Sequence, residues 1–218
     1  MNPVSAPSRA ARASALALAA LLSACSILGS EKTTFTVYAP NPRVAADPTW
    51  PVVRSQLAIT TPDTAREADG LRIVVRPTPL EWQVYKGASW AKRPTDMVTD
   101  VVLRTLEDSG RIPAVARQGT GIAADYKLVL DLRRFESDYA GAAVPNATIE
   151  VSAKLLHAND QSVIASRVFR HAEPAASAAV ADVAAAFERA LGGIGHGISG
   201  WVLVTAAAHD RDGHLPTR

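Results

Sequence analysis

Two stretches in the middle of the chain alternate apolar and polar residues with a period of two. Tyr126, Leu128, Leu130 and Leu132 are separated by Lys127, Val129, Asp131 and Arg133. Ile149, Val151, Ala153 and Leu155 interleave with Thr148, Glu150, Ser152 and Lys154. Successive side chains in a strand point to opposite faces, so both segments predict long strands with one dry and one wet face, as in an antiparallel sheet covered on one side. Residues 139–146 (YAGAAVPN) read as the loop between them. Asn159 and Asp160 suit a tight hairpin into a further strand over 162–170.

Upstream, residues 33–38, 55–60 and 71–75 are rich in β-branched and aromatic side chains and predict three more strands. The first is followed by a proline-rich connection over 39–50, where missing donors and fixed φ forbid a regular element. Residues 80–85 alternate again, with Leu80, Trp82 and Val84 on the expected dry face, and 87–94 read as a loop entering a helix. Over 95–109 the period changes: Val98, Val102 and Leu106 recur at four, with Thr95 as the expected cap and Gly110 as the stop. A second helical stripe starts near Ala175 and carries Val180, Val183, Phe187, Leu191, Ile194, Ile198 and Trp201. Five glycines between Gly192 and Gly200 weaken that helix prediction, each costing up to about 1 kcal/mol relative to alanine. The sum is a single α+β domain, a mainly antiparallel mixed sheet covered on one face by two helices. Its expected bounds are 33–206, with a flexible tail over 207–218.

The first residues have a different grammar. Arg9 and Arg12 precede an apolar stretch over 13–22 and then small residues, the order of a secretory signal. About ten apolar residues are too few to span a bilayer, which takes roughly twenty. Leu22-Ser23-Ala24-Cys25 resembles the bacterial lipobox at every position, and Cys25 is the chain's one cysteine. A lone thiol can form no internal disulfide, and a thiolate is a strong nucleophile for acyl transfer. The expectation is removal of residues 1–24 between Ala24 and Cys25, lipid attachment to Cys25, and a linker over 25–32. Stable anchoring takes more than one acyl chain, which the triacylated cysteine implied by the lipobox provides. Ser26 in place of aspartate implies the outer membrane under the sorting rule of enteric lipoproteins.

Charge and candidate chemistry narrow the reading. Removing Arg9 and Arg12 takes the formal charge from +2 to zero, so nothing points to a nucleic-acid partner. Gly195-His196-Gly197-Ile198-Ser199-Gly200 has the letters of a dinucleotide fingerprint, but it follows a helix where the motif needs a preceding strand. Close backbone packing or a hinge is the alternative use of these glycines. The histidines lack metal-ligand spacing, and no serine sits in a nucleophile elbow, so neither a cofactor nor a metal is expected. Asp131, Glu136 and His196 are what a hydrolase reading would have to use. Trp82 and Trp201 fall on apolar stripes and are expected in the core, whereas Trp90 is the candidate partner contact, with packing as its alternative.

Taken with the lipobox, the run Ile73-Val74-Val75-Arg76-Pro77 leading to Tyr85 and Trp90-Ala91, then Asp125 to Asp131 (DYKLVLD) with Phe135-Glu136, a strand pair and an alanine-rich final helix resemble the ABC-type transport auxiliary lipoprotein family. The resemblance covers roughly residues 33–204. It is similar to the paraquat-inducible protein C type, and implies a lipoprotein partnered with an MCE-domain protein and an ABC permease and ATPase encoded as separate chains. It also implies self-association, because members of this type form rings. The chain has no P-loop to drive transport itself. The expected function is therefore a non-enzymatic tether and docking subunit of an intermembrane lipid transport system. The competing readings are a periplasmic lipid carrier with its own apolar cavity, and an envelope hydrolase.

Overall fold

The structure is a computed structural model that describes residues 34–211. Ala24, Cys25, the signal, the linker and residues 212–218 lie outside the described residues. Nine strands form one mixed sheet: β1 (Thr36–Tyr38), β2 (Leu57–Ile59), β3 (Asp63–Thr64), β4 (Arg72–Arg76), β5 (Gln83–Trp90), β6 (Val115–Arg117), β7 (Tyr126–Asp138), β8 (Asn146–His157) and β9 (Val163–Pro174). Two helices, α1 (Pro94–Ser109) and α2 (Val180–Arg211), complete the α+β fold.

The long strand β7 is the spine. On one side it runs antiparallel to β8, which pairs in turn with β9, and this three-strand ladder holds most of the sheet's paired residues. On the other side β2, β3 and β4 lie parallel to successive parts of β7. The dry faces predicted for β7 and β8 are observed: Leu128, Leu130, Leu132, Ile149, Val151, Ala153 and Leu155 are all buried. The alternation of β7 breaks after Leu132 because a bulge lies between Leu132 and Arg134. The extra residue moves the dry side from even to odd positions, so Phe135 continues the core where Arg134 would have stood.

Helix α1 ends as expected, at Gly110 with φ +62°, a left-handed conformation that costs glycine nothing. Its start differs from expectation. Thr95 is not the cap but is itself capped: Asp69, on a short 3-10 turn at Arg66–Asp69, accepts from Thr95 N (3.2 Å) and Thr95 Oγ1 (2.7 Å). A carboxylate there also offsets the positive end of the helix dipole.

Helix α2 is unbroken across its glycines and extends to Arg211, past the tail boundary expected at 207. Among the described residues it is long and apolar enough to cross a membrane, but its stripe from Val183 to Ala206 is buried against β8, β9 and α1. The glycines persist because neighbours occupy the space a side chain would need. A Cβ on Gly193 would lie 2.3 Å from the His171 ring, on Gly195 2.7 Å from Val101 Cγ2, and on Gly200 2.6 Å from Trp50 Nε1. Close packing is thus the role of this segment, and a nucleotide loop is excluded because the glycines sit inside a helix.

Candidate functional site

Strand directions give the molecule two distinct ends. The β4–β5 turn (Thr78 to Trp82) and the β7–β8 loop lie at the same end, because β4 is parallel to β7 and its last residues, Val75 and Arg76, pair with Ser137 and Asp138. Strand β5 runs away from that end, and β1 is parallel to β5, with Thr36 beside Ala88. Strand β1 therefore also runs away from the two turns.

This end is braced by charge. Glu136, only 2% exposed, has Arg76 Nε 2.9 Å from its Oε1, and the same oxygen accepts from Arg134 Nε at 2.5 Å. Arg134 also donates to Asp138 at 2.6 Å. Burial works against the Arg134 charge, but its hydrogen bonds to Glu136 and Asp138 prevail and hold its pKa above the ordinary value. Arg76 then reaches outward: one guanidinium nitrogen donates to Pro79 O (2.7 Å), and its Cζ lies 5.3 Å from the centre of the Trp82 ring. A buried acid thus fixes an arginine that fixes an exposed turn. Beside it, Tyr85 OH lies 3.1 Å from Ser137 Oγ and 3.3 Å from Tyr139 OH, and burial pushes the Tyr85 phenol up to about 12. Val75, Pro77, Val84, Tyr85 and Tyr139 line an open cleft of about 450 Å³ here.

Two of the tryptophan expectations invert at this point, while Trp201 packs half-buried against the core as expected. Strand β5 extends through Trp90, so 87–94 is no loop, and Trp90 is 1% exposed, edge-on to Phe135 (5.9 Å) and Phe187 (5.0 Å). It is core and cannot be a partner contact. Trp82, expected in the core, is 45% exposed, and Leu80 on the same turn is 97% exposed. Leu80 and Trp82 precede the observed start of β5 at Gln83 and project from the turn, so no layer covers them.

Comparison with known proteins places the chain. Residues 35–199 match the profile of the ABC-type transport auxiliary lipoprotein component family. The chain belongs to this family. Among solved structures, protein XCC0632 from Xanthomonas campestris, assigned to DUF330, is 53% identical, with a TM-score of 0.78 over 81% of this chain and 99% of that one. A second, described only as an uncharacterized protein, shares the fold at 11% identity, with a TM-score of 0.58 over 77% and 99% of the two chains. No curated protein matches.

In this transport auxiliary lipoprotein the hydrolase candidates do not meet. Glu136 is enclosed by its arginines, Asp131 pairs with Arg133 (3.2 Å) on an open strand face, and His196 is exposed on α2 against the Trp50 ring (4.9 Å). Among the described residues no cluster has the makings of a metal site.

The opposite end holds a polar cluster that sequence reasoning missed. Asp210 accepts from Ser55 Oγ (2.9 and 2.7 Å) and from Tyr126 OH (2.5 Å), and Tyr126 OH also lies 3.0 Å from His209 Nδ1. Burial, then the Asp210 carboxylate, raises the Tyr126 phenol. Ser55 donates to the Asp210 carboxylate, whereas in a hydrolytic triad the serine donates to an imidazole. It pins the last turn of α2 to β7. Asp210 and His209 fall in the polar stretch expected as a tail, and only the extension of α2 to Arg211 brings them to Ser55 and Tyr126.

Proposed function

We propose that this family member is the lipid-anchored, non-enzymatic tether and docking subunit of an MCE-type intermembrane lipid transporter, held in the outer membrane by an acylated Cys25. The observation that carries the reading is the family match beginning at residue 35, a short leash downstream of Leu22-Ser23-Ala24-Cys25. Multiple acyl chains on one cysteine keep a domain at a membrane without a spanning helix. Energy for transport then comes from the ABC ATPase on a separate chain.

A carrier reading needs room between sheet and helices for acyl chains, whose ligand sites are usually a few hundred Å³ or more. That interlayer is filled. Phe135 and Phe187 stack at 4.8 Å, Trp90 closes their side, and Leu128, Leu130, Ile149, Ile194 and Ile198 are all buried around them. This favours docking over carriage.

Affinity capture of the native lipoprotein from solubilised envelopes tests the proposal. The expected result is co-recovery of an MCE-domain protein with its ABC permease and ATPase. Recovery of the lipoprotein with none of these contradicts it. Native mass spectrometry is expected to find the domain free of non-covalent lipid.

A further inference from the structure

The end of the sheet that carries the β4–β5 turn and the β7–β8 loop exposes apolar side chains. Leu80 and Trp82 stand on the β4–β5 turn, and Val144 is exposed on the adjoining β7–β8 loop. We propose that this end seats on the bilayer surface, with Leu80 and Trp82 entering the interface of the leaflet that holds the acylated Cys25. The proposal rests on the lipid-anchored reading above and adds the orientation of the domain.

Three observations select a membrane as the occupant. The first is reach. From Ala88, beside Thr36, back to Trp82 is about 20 Å of strand at 3.3 Å per residue. The segment from Cys25 to Phe35 spans at most about 36 Å when fully extended. A lipid at the far end of such a leash therefore leaves the turns within reach of the headgroups.

The second is composition. Leucine at the extreme, with tryptophan and tyrosines set behind it, is the order of side chains that interfaces favour, because the aromatic rings combine an apolar body with a polar edge. Trp82, Tyr85 and Tyr139 occupy those positions, and Lys86 is exposed beside them for anionic headgroups. Glu81 is the one acidic side chain on the turn, and it accepts a hydrogen bond from Thr78 Oγ1 (3.2 Å).

The third is rigidity. Arg76 holds Pro79 O and underlies Trp82 while ion-paired to buried Glu136, so the exposed turn is preorganised and loses little freedom on insertion. The opposite end, with Ser55, Tyr126 and Asp210, is left facing away from the membrane, where a transporter component has access to it.

The test uses the full mature lipoprotein in vesicles of phosphatidylethanolamine and phosphatidylglycerol brominated on the acyl chains. Trp50 and Trp90 are buried and Trp201 is half-buried against Phe169 (5.7 Å), so emission quenched by bromolipid is expected to come from Trp82. The native protein should lose emission on bromination, and Trp82→Phe should lose that response. Leu80→Asp should reduce it while the protein stays on the vesicles, because the acyl chains remain. An anchored protein whose Trp82 is untouched by bromolipid overturns this inference and leaves the anchor reading standing. Trp82 shielded from aqueous iodide yet unquenched by bromolipid also overturns it, because a protein surface then covers the turn. Native protein that fails to stay on vesicles, or Cys25→Ser that still does, refutes the anchor reading instead. Circular dichroism confirms that each variant is folded.

Discussion

Trp82 and Trp90 sit eight residues apart around one strand, yet one is buried edge-on against two stacked phenylalanines and the other stands on an exposed turn over an arginine. The same contrast separates the β7–β8 ladder from the β4–β5 hairpin. Both segments alternate apolar and polar residues. In the ladder a helix lies over the apolar side; at the turn no described helix does. Alternation reports which side chains share a face, and only the third dimension reports whether that face is covered.

The largest effect should come from breaking the covered region. Trp90→Ala removes the ring that closes the Phe135–Phe187 stack, and truncations of this kind cost about 3–5 kcal/mol. Equilibrium denaturation should show a loss of that order, against a prediction of little change were Trp90 a surface contact. Next is Gly195→Leu. The new side chain meets Val101, itself buried and β-branched, and overpacking of this kind costs about 1–3 kcal/mol, which exceeds the roughly 1 kcal/mol that replacing a helix glycine returns. A lower midpoint in denaturant is expected, and an unchanged or higher one contradicts the close-packing role.

Tyr85 sharpens the comparison at the boundary between the two regions. Burial, ahead of its hydrogen bonds, raises its pKa to about 12 from the ordinary value of 10.0. The folded state then holds the phenolic proton over a range in which the unfolded chain has released it. Its contribution is complete below pH 10 and is lost as pH rises toward 12. Stability measured across that window should fall, and Tyr85→Phe should flatten the part of the slope due to this group. The smallest effect belongs to the exposed turn. Leu80→Asp should change stability by no more than about 0.5 kcal/mol in the absence of lipid, because the side chain touches no core. A larger loss would mean that the turn is covered within the domain.

The fold was legible where pattern and layer coincide. The strands over Tyr126–Asp138 and Asn146–His157 and the helix over Pro94–Ser109 follow from their periods, and Gly110 marks its stop as chain chemistry requires. Other elements left no such signal. Strand β6 is three residues long, too short for a period to register, and the bulge after Leu132 shifts the dry face by an offset that depends on strand pairing. The cap supplied by Asp69 and the clamp formed by Asp210 are contacts between residues far apart in the chain, and the identity of either partner alone says nothing of them. Glycine penalties suggested a weakened helix after Leu191 because the compensating neighbours His171, Val101 and Trp50 lie on other elements. Of the candidate functional residues, Trp90 was misplaced for the same reason as Trp82, since the start of β5 at Gln83 is set by its pairing with Val75. The family resemblance was readable from order and spacing, and the profile match over 35–199 agrees with it.

The intact mass of the chain isolated from its native membrane tests the central claim most directly. The account predicts a protein that begins at Cys25 and carries acyl chains on that residue. A chain that retains residues 1–24, or one that begins at Cys25 with a bare thiol, contradicts it.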